Sequence, residues 1–158
     1  MKIKNKKGFT LVEMLVVIAI IGILMALLFP VFTTVLKKAK RTKAKTEISQ
    51  VEQAWKAFLM DYKEFPSGLD KESLMTASVV EHLTGDNEDI NIRQTLYLEV
   101  DSSEDYTDPW QNMYNIKLKS SGKQSPYDGG NDVNKQVLVW SWGPDETENT
   151  KDDVKNWN

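Results

Sequence analysis

The sequence predicts an α+β fold in which a long N-terminal helix packs across a small antiparallel sheet. Three observations carry that expectation. From Thr10 to about Tyr62 only Gly22 and Pro30 interrupt helical patterning. Beyond Leu36 the residues Ala44, Ile48, Val51, Trp55, Phe58 and Tyr62 recur at alternating intervals of four and three, which is one apolar face of a helix. Past Phe65-Pro66-Ser67-Gly68, short alternating runs are separated by turn-rich spacers, as in an antiparallel meander.

The first part of the helix is apolar on every side. A lysine-rich head (Lys2, Lys4, Lys6, Lys7) meets Gly8, and the apolar run that follows holds one ionisable group, Glu13. From Met14 to Leu36 there are 23 residues without a charge. At about 1.5 Å per residue, ~20 residues span a hydrocarbon core of ~30 Å. A secretory signal peptide has an apolar stretch of only about 7–15 residues followed by a small-residue cleavage site, and this run is longer and has no such site. The remaining chain is too polar to wrap it as a buried core helix. The segment reads as a membrane anchor.

The other elements follow in order. The amphipathic half of the helix stops at Phe65–Gly68. Asp70 is placed to cap a short helix over 71–83, and a polar loop over 84–92 follows. Strands are expected over 94–100 (Leu96, Leu98 and Val100 on one face), 113–119 (Tyr114, Ile116 and Leu118 together) and 136–142. In the last, Val137 and Val139 oppose Leu138, Trp140 and Trp142. An acidic loop ends the chain. His82, the one histidine, reads as a surface residue near a helix end, and no nucleophile elbow accompanies it. Asp128-Gly129-Gly130-Asn131-Asp132 reads as a plain hairpin loop.

The net charge of −3 conceals an asymmetry. Residues 1–45 carry ten Lys/Arg and one acid, whereas residues 46–158 carry ten Lys/Arg and 22 acids. An acidic distal region argues against nucleic-acid binding by phosphate neutralisation. With no cysteine there is no disulfide, thiol nucleophile or thiolate metal site. Four cations precede the anchor and six follow it (Lys37, Lys38, Lys40, Arg41, Lys43, Lys45), so charge counting alone mildly favours a cytoplasmic C-terminal region. The basic run itself suits either anionic headgroups or a solvated helix face.

Gly8 before Phe9 offers a peptidase an unhindered backbone, and cleavage there would make Phe9 a free amine and Glu13 the fifth residue. A carboxylate at that depth is costly in lipid and wants a cationic partner, for which a neighbouring subunit's terminal amine is well placed. The segment Lys6-Lys7-Gly8-Phe9-Thr10-Leu11-Val12-Glu13 resembles the processing signal of the type IV pilin and pseudopilin family. The resemblance implies a leader over 1–8 cut by a prepilin peptidase, N-methylation of Phe9, and a transmembrane and filament-core helix over 9–36. It also implies an extracytoplasmic region over 37–158, with the leader inside. Gly22 and Pro30 suit a transmembrane helix that tolerates them, and in the family this stretch unwinds as subunits leave the bilayer for a filament.

Two distal motifs resemble the major pseudopilin of type II secretion systems. Thr107-Asp108-Pro109-Trp110-Gln111-Asn112-Met113-Tyr114 is similar to its Asp-Pro-Trp-Gly-Asn-Pro-Tyr segment, with Gln111 and Met113 standing where the family has Gly and Pro. It reads as a packing motif. The stretch from Ser141 to Trp157 has no His or Cys among its carboxylates, so any metal shell there is all oxygen, which favours a hard cation. It resembles the family's C-terminal calcium loop. That implies side-chain oxygens from Asp145, Asp152 and Asp153 and backbone carbonyls near Trp142, Thr147 and Val154.

The function so implied is non-enzymatic: a subunit of a type II secretion pseudopilus, a homo-oligomeric filament. Its implied partners are the peptidase, an inner-membrane platform, a secretion ATPase and minor pseudopilins. The location is the inner membrane, single-pass, and then the filament. A type IV pilin for adhesion, motility or DNA uptake is the alternative, and a membrane-tethered sensor or hydrolase would need a catalytic cluster.

Overall fold

The computed structural model describes residues 9–127 and 129–157. The leader expected over 1–8, Gly8 included, and Asp128 of the glycine-rich hairpin lie outside the described residues. Contacts divide the chain into two units, one ending at Ala39 and the other starting at Lys40.

Helix α1 (Leu11–Tyr62) supplies the helical part of the first unit and the N-terminal element of the second. It opens on a capping box. The backbone N–H and the hydroxyl of Thr10 donate to Glu13 Oε2 at 2.8 and 2.7 Å, and the Glu13 N–H donates to Thr10 Oγ1 at 3.3 Å. In the first unit every residue from Leu11 to Phe32 is exposed, Leu, Ile, Val, Met and Phe alike. The helix is long and apolar enough to cross a membrane. Helical structure continues through Pro30, whose carbonyl accepts from the hydroxyls of Thr33 (3.0 Å) and Thr34 (2.9 Å).

In the second unit the helix face read from the sequence is the core. Ala44, Ile48, Val51, Ala54, Trp55 and Phe58 are buried, and Tyr62 packs against them. Trp55 meets Phe58 edge-on at 5.6 Å, and Phe58 stacks on Tyr62 at 4.5 Å. The facing layer is a four-stranded antiparallel sheet in the order β1-β2-β5-β6, built from β1 (Ser73–Leu74), β2 (Asn115–Leu118), β5 (Val137–Ser141) and β6 (Val154–Lys155). A separate two-stranded ribbon pairs β3 (Lys123–Gln124) with β4 (Val133–Asn134). All five residues of β5 are buried. Val137 and Val139 join the main core, while Leu138 and Trp140 join a second cluster with Trp157, Tyr127, Val133 and Trp142.

Three sequence expectations need correction. The helix placed over 71–83 is instead α2 (Ala77–Thr84), because Ser73 and Leu74 pair with Ile116 and Asn115 as β1. Asp70 does not cap it. The Asp105 carboxylate does that work from a distance, accepting the Ala77 N–H at 2.8 Å. No strand forms over 94–100: the N–H groups of Tyr97 and Leu98 both donate to the Leu83 carbonyl at 2.7 and 3.1 Å, folding the segment over the end of α2. A Cβ on Gly85 would come within 2.8 Å of the Gln94 backbone, so only glycine admits this approach. His82 is half-buried rather than on the surface, edge-on to Trp55 at 6.4 Å, and burial pushes its pKa down.

Glu52 ties α1 to the C-terminal part of the sheet. It accepts from Lys56 (2.6 Å), Lys135 (3.0 and 3.2 Å) and Asn156 Nδ2 (2.7 Å). Burial raises its pKa, but the hydrogen bonds from Lys56, Asn156 and Lys135 together hold it below the usual carboxylate range. Asn156 also donates to the Val137 carbonyl at 3.0 Å and accepts from the Val139 N–H at 3.1 Å, which fixes the chain end beside β5.

Candidate functional site

Two places concentrate the residues singled out by sequence: the start of α1, and the loop between β5 and β6. At the first, Phe9 is exposed and Glu13 is occupied in the capping box. Gly22 has nothing within 4 Å of where a Cβ would stand, so packing inside this chain does not demand glycine there.

The second place is built by strand pairing. Ser141 faces Val154 across β5 and β6, so the two ends of the acidic loop are held side by side at its base. Trp142 leads into a 3-10 turn over Gly143–Asp145 and leans on the second aromatic cluster, and Val154 is buried. Gly143 has φ of 74°, and a Cβ on it would lie 2.7 Å from the Asp152 carbonyl. Glycine is what lets the two arms of the loop touch.

Inside the loop the three predicted carboxylates converge on one hydroxyl. Thr150 Oγ1 lies 2.7 Å from Asp152 Oδ1, 3.1 Å from Asp153 Oδ1, 3.5 Å from Asp145 Oδ1 and 3.4 Å from the Thr147 carbonyl. A hydroxyl has one proton to give, so these four oxygens compete for it, and Asp145 Oδ1 also accepts the Thr147 N–H at 3.0 Å. Donation from Thr150 holds the Asp152 pKa below its usual range. Asp153 is buried, and its Oδ2 accepts from the Asn149 N–H at 3.1 Å and from the Tyr127 hydroxyl. Among the described residues no group of three or more His, Asp or Glu is spaced to hold a metal ion. The carboxylates are gathered, but around the Thr150 hydroxyl. Sequence reasoning passed over Thr150, whose only signal was a hydroxyl placed between Asp145 and the Asp152-Asp153 pair.

The Asp108 motif anchors this loop. Asp108 is buried; its Oδ1 accepts the N–H groups of Trp110 (2.8 Å) and Asn112 (3.0 Å), and its Oδ2 accepts the Ser141 hydroxyl at 2.5 Å. The Gly143 N–H in turn donates to Ser141 Oγ at 3.0 Å. Tyr114 is fully buried and donates to Glu47 of α1 at 2.6 Å, and burial with that bond drives its pKa up. The motif does pack, as expected, and its carboxylate also sets the first turn of the acidic loop. Sequence reasoning missed that polar role.

These elements match known proteins in both halves. Residues 3–29 match the prokaryotic N-terminal methylation motif. Residues 32–157 match the family described as type II secretion system (T2SS), protein G. The chain belongs to the type II secretion protein G family. It is a major pseudopilin, a structural subunit of the secretion pseudopilus and not an enzyme. It is 32% identical to the type II secretion system core protein G of Escherichia coli over 97% of this chain and 92% of that one. With the Pseudomonas aeruginosa core protein G it shares 30% over 99% of each. A fimbrial protein of Pseudomonas aeruginosa is 38% identical, but over only 40% of this chain and 42% of its own. No solved structure matches.

One departure from the pseudopilin pattern now has a physical reading. Gln111 stands at φ of 77° in the turn closed by its N–H and the Asp108 carbonyl at 2.9 Å. The glycine expected there would adopt that conformation freely, whereas a side chain costs about 1 kcal/mol. Gln111→Gly is expected to raise the stability of this pseudopilin by up to about 1 kcal/mol, less the extra entropy glycine gives the unfolded chain. Urea melts of the two forms measure it, and a destabilised variant would show that the Gln111 side chain does more than tolerate the turn.

Proposed function

We propose that this pseudopilin is cut after Gly8 by a prepilin peptidase and methylated on Phe9. The anchor then holds it as a single span in the inner membrane, with the unit from Lys40 outside the cytoplasm. An ATPase-driven membrane platform adds it to a filament that has minor pseudopilins among its partners, and the growing filament drives proteins through the outer membrane. The observation that carries this reading is the apolar first part of α1, uncovered from Leu11 to Phe32, whose one charge is Glu13. In lipid such a surface is solvated, and in a filament it is buried against its own copies. Glu13 pairs there with the Phe9 amine of the next subunit, and Gly22 and Pro30 let the helix open on leaving the bilayer. Deleting the gene from its host is expected to stop release of the exported proteins, with a plasmid copy restoring it. Undiminished secretion would overturn the reading.

A calcium ion belongs to the same proposal. Asp145, Asp152 and Asp153, with the carbonyls of Trp142, Thr147 and Val154, would hold it. Its support is the set of oxygens competing for one Thr150 proton, and Thr150 would have to yield its place. The ion would supply the positive charge that the gathered carboxylates lack, stapling the loop shut. Chelation of the calcium-loaded unit from Lys40 is expected to lower its Tm, and calcium to restore it. A melt indifferent to both would remove the ion from the account.

A further inference from the structure

The six cations at residues 37–45 meet almost nothing in their own chain. Lys37, Lys38, Lys40, Arg41, Lys43 and Lys45 are all exposed, and among the described residues only Lys43 has a carboxylate in reach, Glu47 at 3.6 Å. The opposite charge is concentrated elsewhere. Between residues 86 and 105 stand seven exposed acids, Asp86, Glu88, Asp89, Glu99, Asp101, Glu104 and Asp105. The one cation in that stretch, Arg93, is engaged with Asp61 at 3.7 Å. The two ends of the stretch are drawn together: hydrogen bonds from Ser102 and Thr84 hold the Asp86 pKa below its usual range, and the Asp101 charge opposes them only weakly. Like charges so placed repel unless a cation comes between them.

The acidic stretch also borders a groove. A cavity of about 570 Å³ runs between Gln50, Gln53, Ala54 and Ala57 of α1 and residues 97–100, with an apolar floor (Ala54, Leu98, Val100) and Glu99 among its lining residues. A long side chain with an aliphatic stem and a cationic head fits that combination.

We propose that the basic run 37–45 of one subunit docks on the acidic 86–105 stretch of a second copy, with Arg41 or a neighbouring lysine laid in this groove toward Glu99 and Asp101. A second copy is favoured as the occupant because both complementary surfaces lie on one chain. Each copy therefore offers a donor and an acceptor, and such a head-to-tail contact need not close, which is the geometry of a filament. Charge complementarity of this kind fixes register and rejects wrong partners. The inference rests on assembly into a filament and adds where one copy meets the next.

The chain has no cysteine, which makes the test clean. The full-length chain carrying Arg41→Cys and Asp101→Cys together, made in a host with its complete secretion system, is expected to form disulfide-linked ladders in the filament fraction, with each single variant forming none. Arg41→Glu is expected to cut assembly by roughly tenfold or more, and a further Asp101→Lys to restore most of it. Circular dichroism of each variant confirms folding. Full assembly of Arg41→Glu, or failure of both the ladder and the restoring change, would overturn the proposal. So would a loss traced to weaker binding of the unassembled chain to anionic vesicles, which would assign the run to lipid headgroups. A wild-type chain that makes no filament would instead sink the assembly reading itself.

Discussion

Replacing Glu13 by Ala is expected to leave cleavage after Gly8 intact and to abolish filament assembly. The carboxylate has two jobs that the variant removes together. In the single chain it closes the capping box with Thr10, and loss of a helix cap costs about 1 kcal/mol. In the filament it would neutralise a terminal amine buried among apolar helices, and removing one partner of such a pair costs roughly 3–5 kcal/mol. The second term is the larger and exists only in the assembled state. Glu13→Gln separates them, since an amide can still close a capping box but carries no charge. Both variants should be processed and both should fail to assemble, as read from sheared filament fractions. Normal filaments from the Gln variant would reduce Glu13 to a helix cap.

Asp108→Ala is expected to destabilise the unit from Lys40 well beyond what an ordinary polar substitution costs. It removes one carboxylate that accepts three hydrogen bonds, from the Trp110 and Asn112 N–H groups and the Ser141 hydroxyl. Hydrogen bonds to a charged group contribute about 1.5–3 kcal/mol each and do not add fully. A total near 3 kcal/mol follows, or roughly 10 °C in Tm for a unit of this size. Asp108→Asn keeps one carbonyl oxygen and should lose about half as much. Because Ser141 also accepts the Gly143 N–H, the Ala variant should loosen the first turn of the acidic loop and speed amide exchange there. A variant within about 1 kcal/mol of the parent would mean that packing by Trp110 and Tyr114 suffices without the carboxylate.

The long helix was legible because its apolar period persists from Ala44 to Tyr62, and its buried face is the one that period marks. The central strands β2 and β5 were legible for the same reason. The flanking β1 and β6 are two residues each, too short to show any period. Over 94–100 the alternation of Leu96, Leu98 and Val100 misled, because pattern says nothing of where backbone donors go. The Leu83 carbonyl at the end of α2 claimed two of them, leaving Leu96 largely exposed. At the acidic loop the carboxylates were recognisable only through the family resemblance, and Thr150 carried no such mark. Asp108 did have a local signal, an aspartate ahead of a Pro-containing turn whose side chain can accept amides two and four residues on.

Strand β5 has a consequence for how this sheet keeps its alignment. An ordinary half-exposed strand is held in place by polarity, since sliding by one residue would turn apolar groups to water. Here both faces of Val137–Ser141 are covered, so a slide would expose nothing. It would instead push Leu138 and Trp140 into the space now filled by Val137 and Val139 beneath α1, and leave valines among Tyr127 and Trp157. One side would be overfilled and the other left hollow. The alignment of this sheet is therefore kept by size, large against large on one side and small on the other.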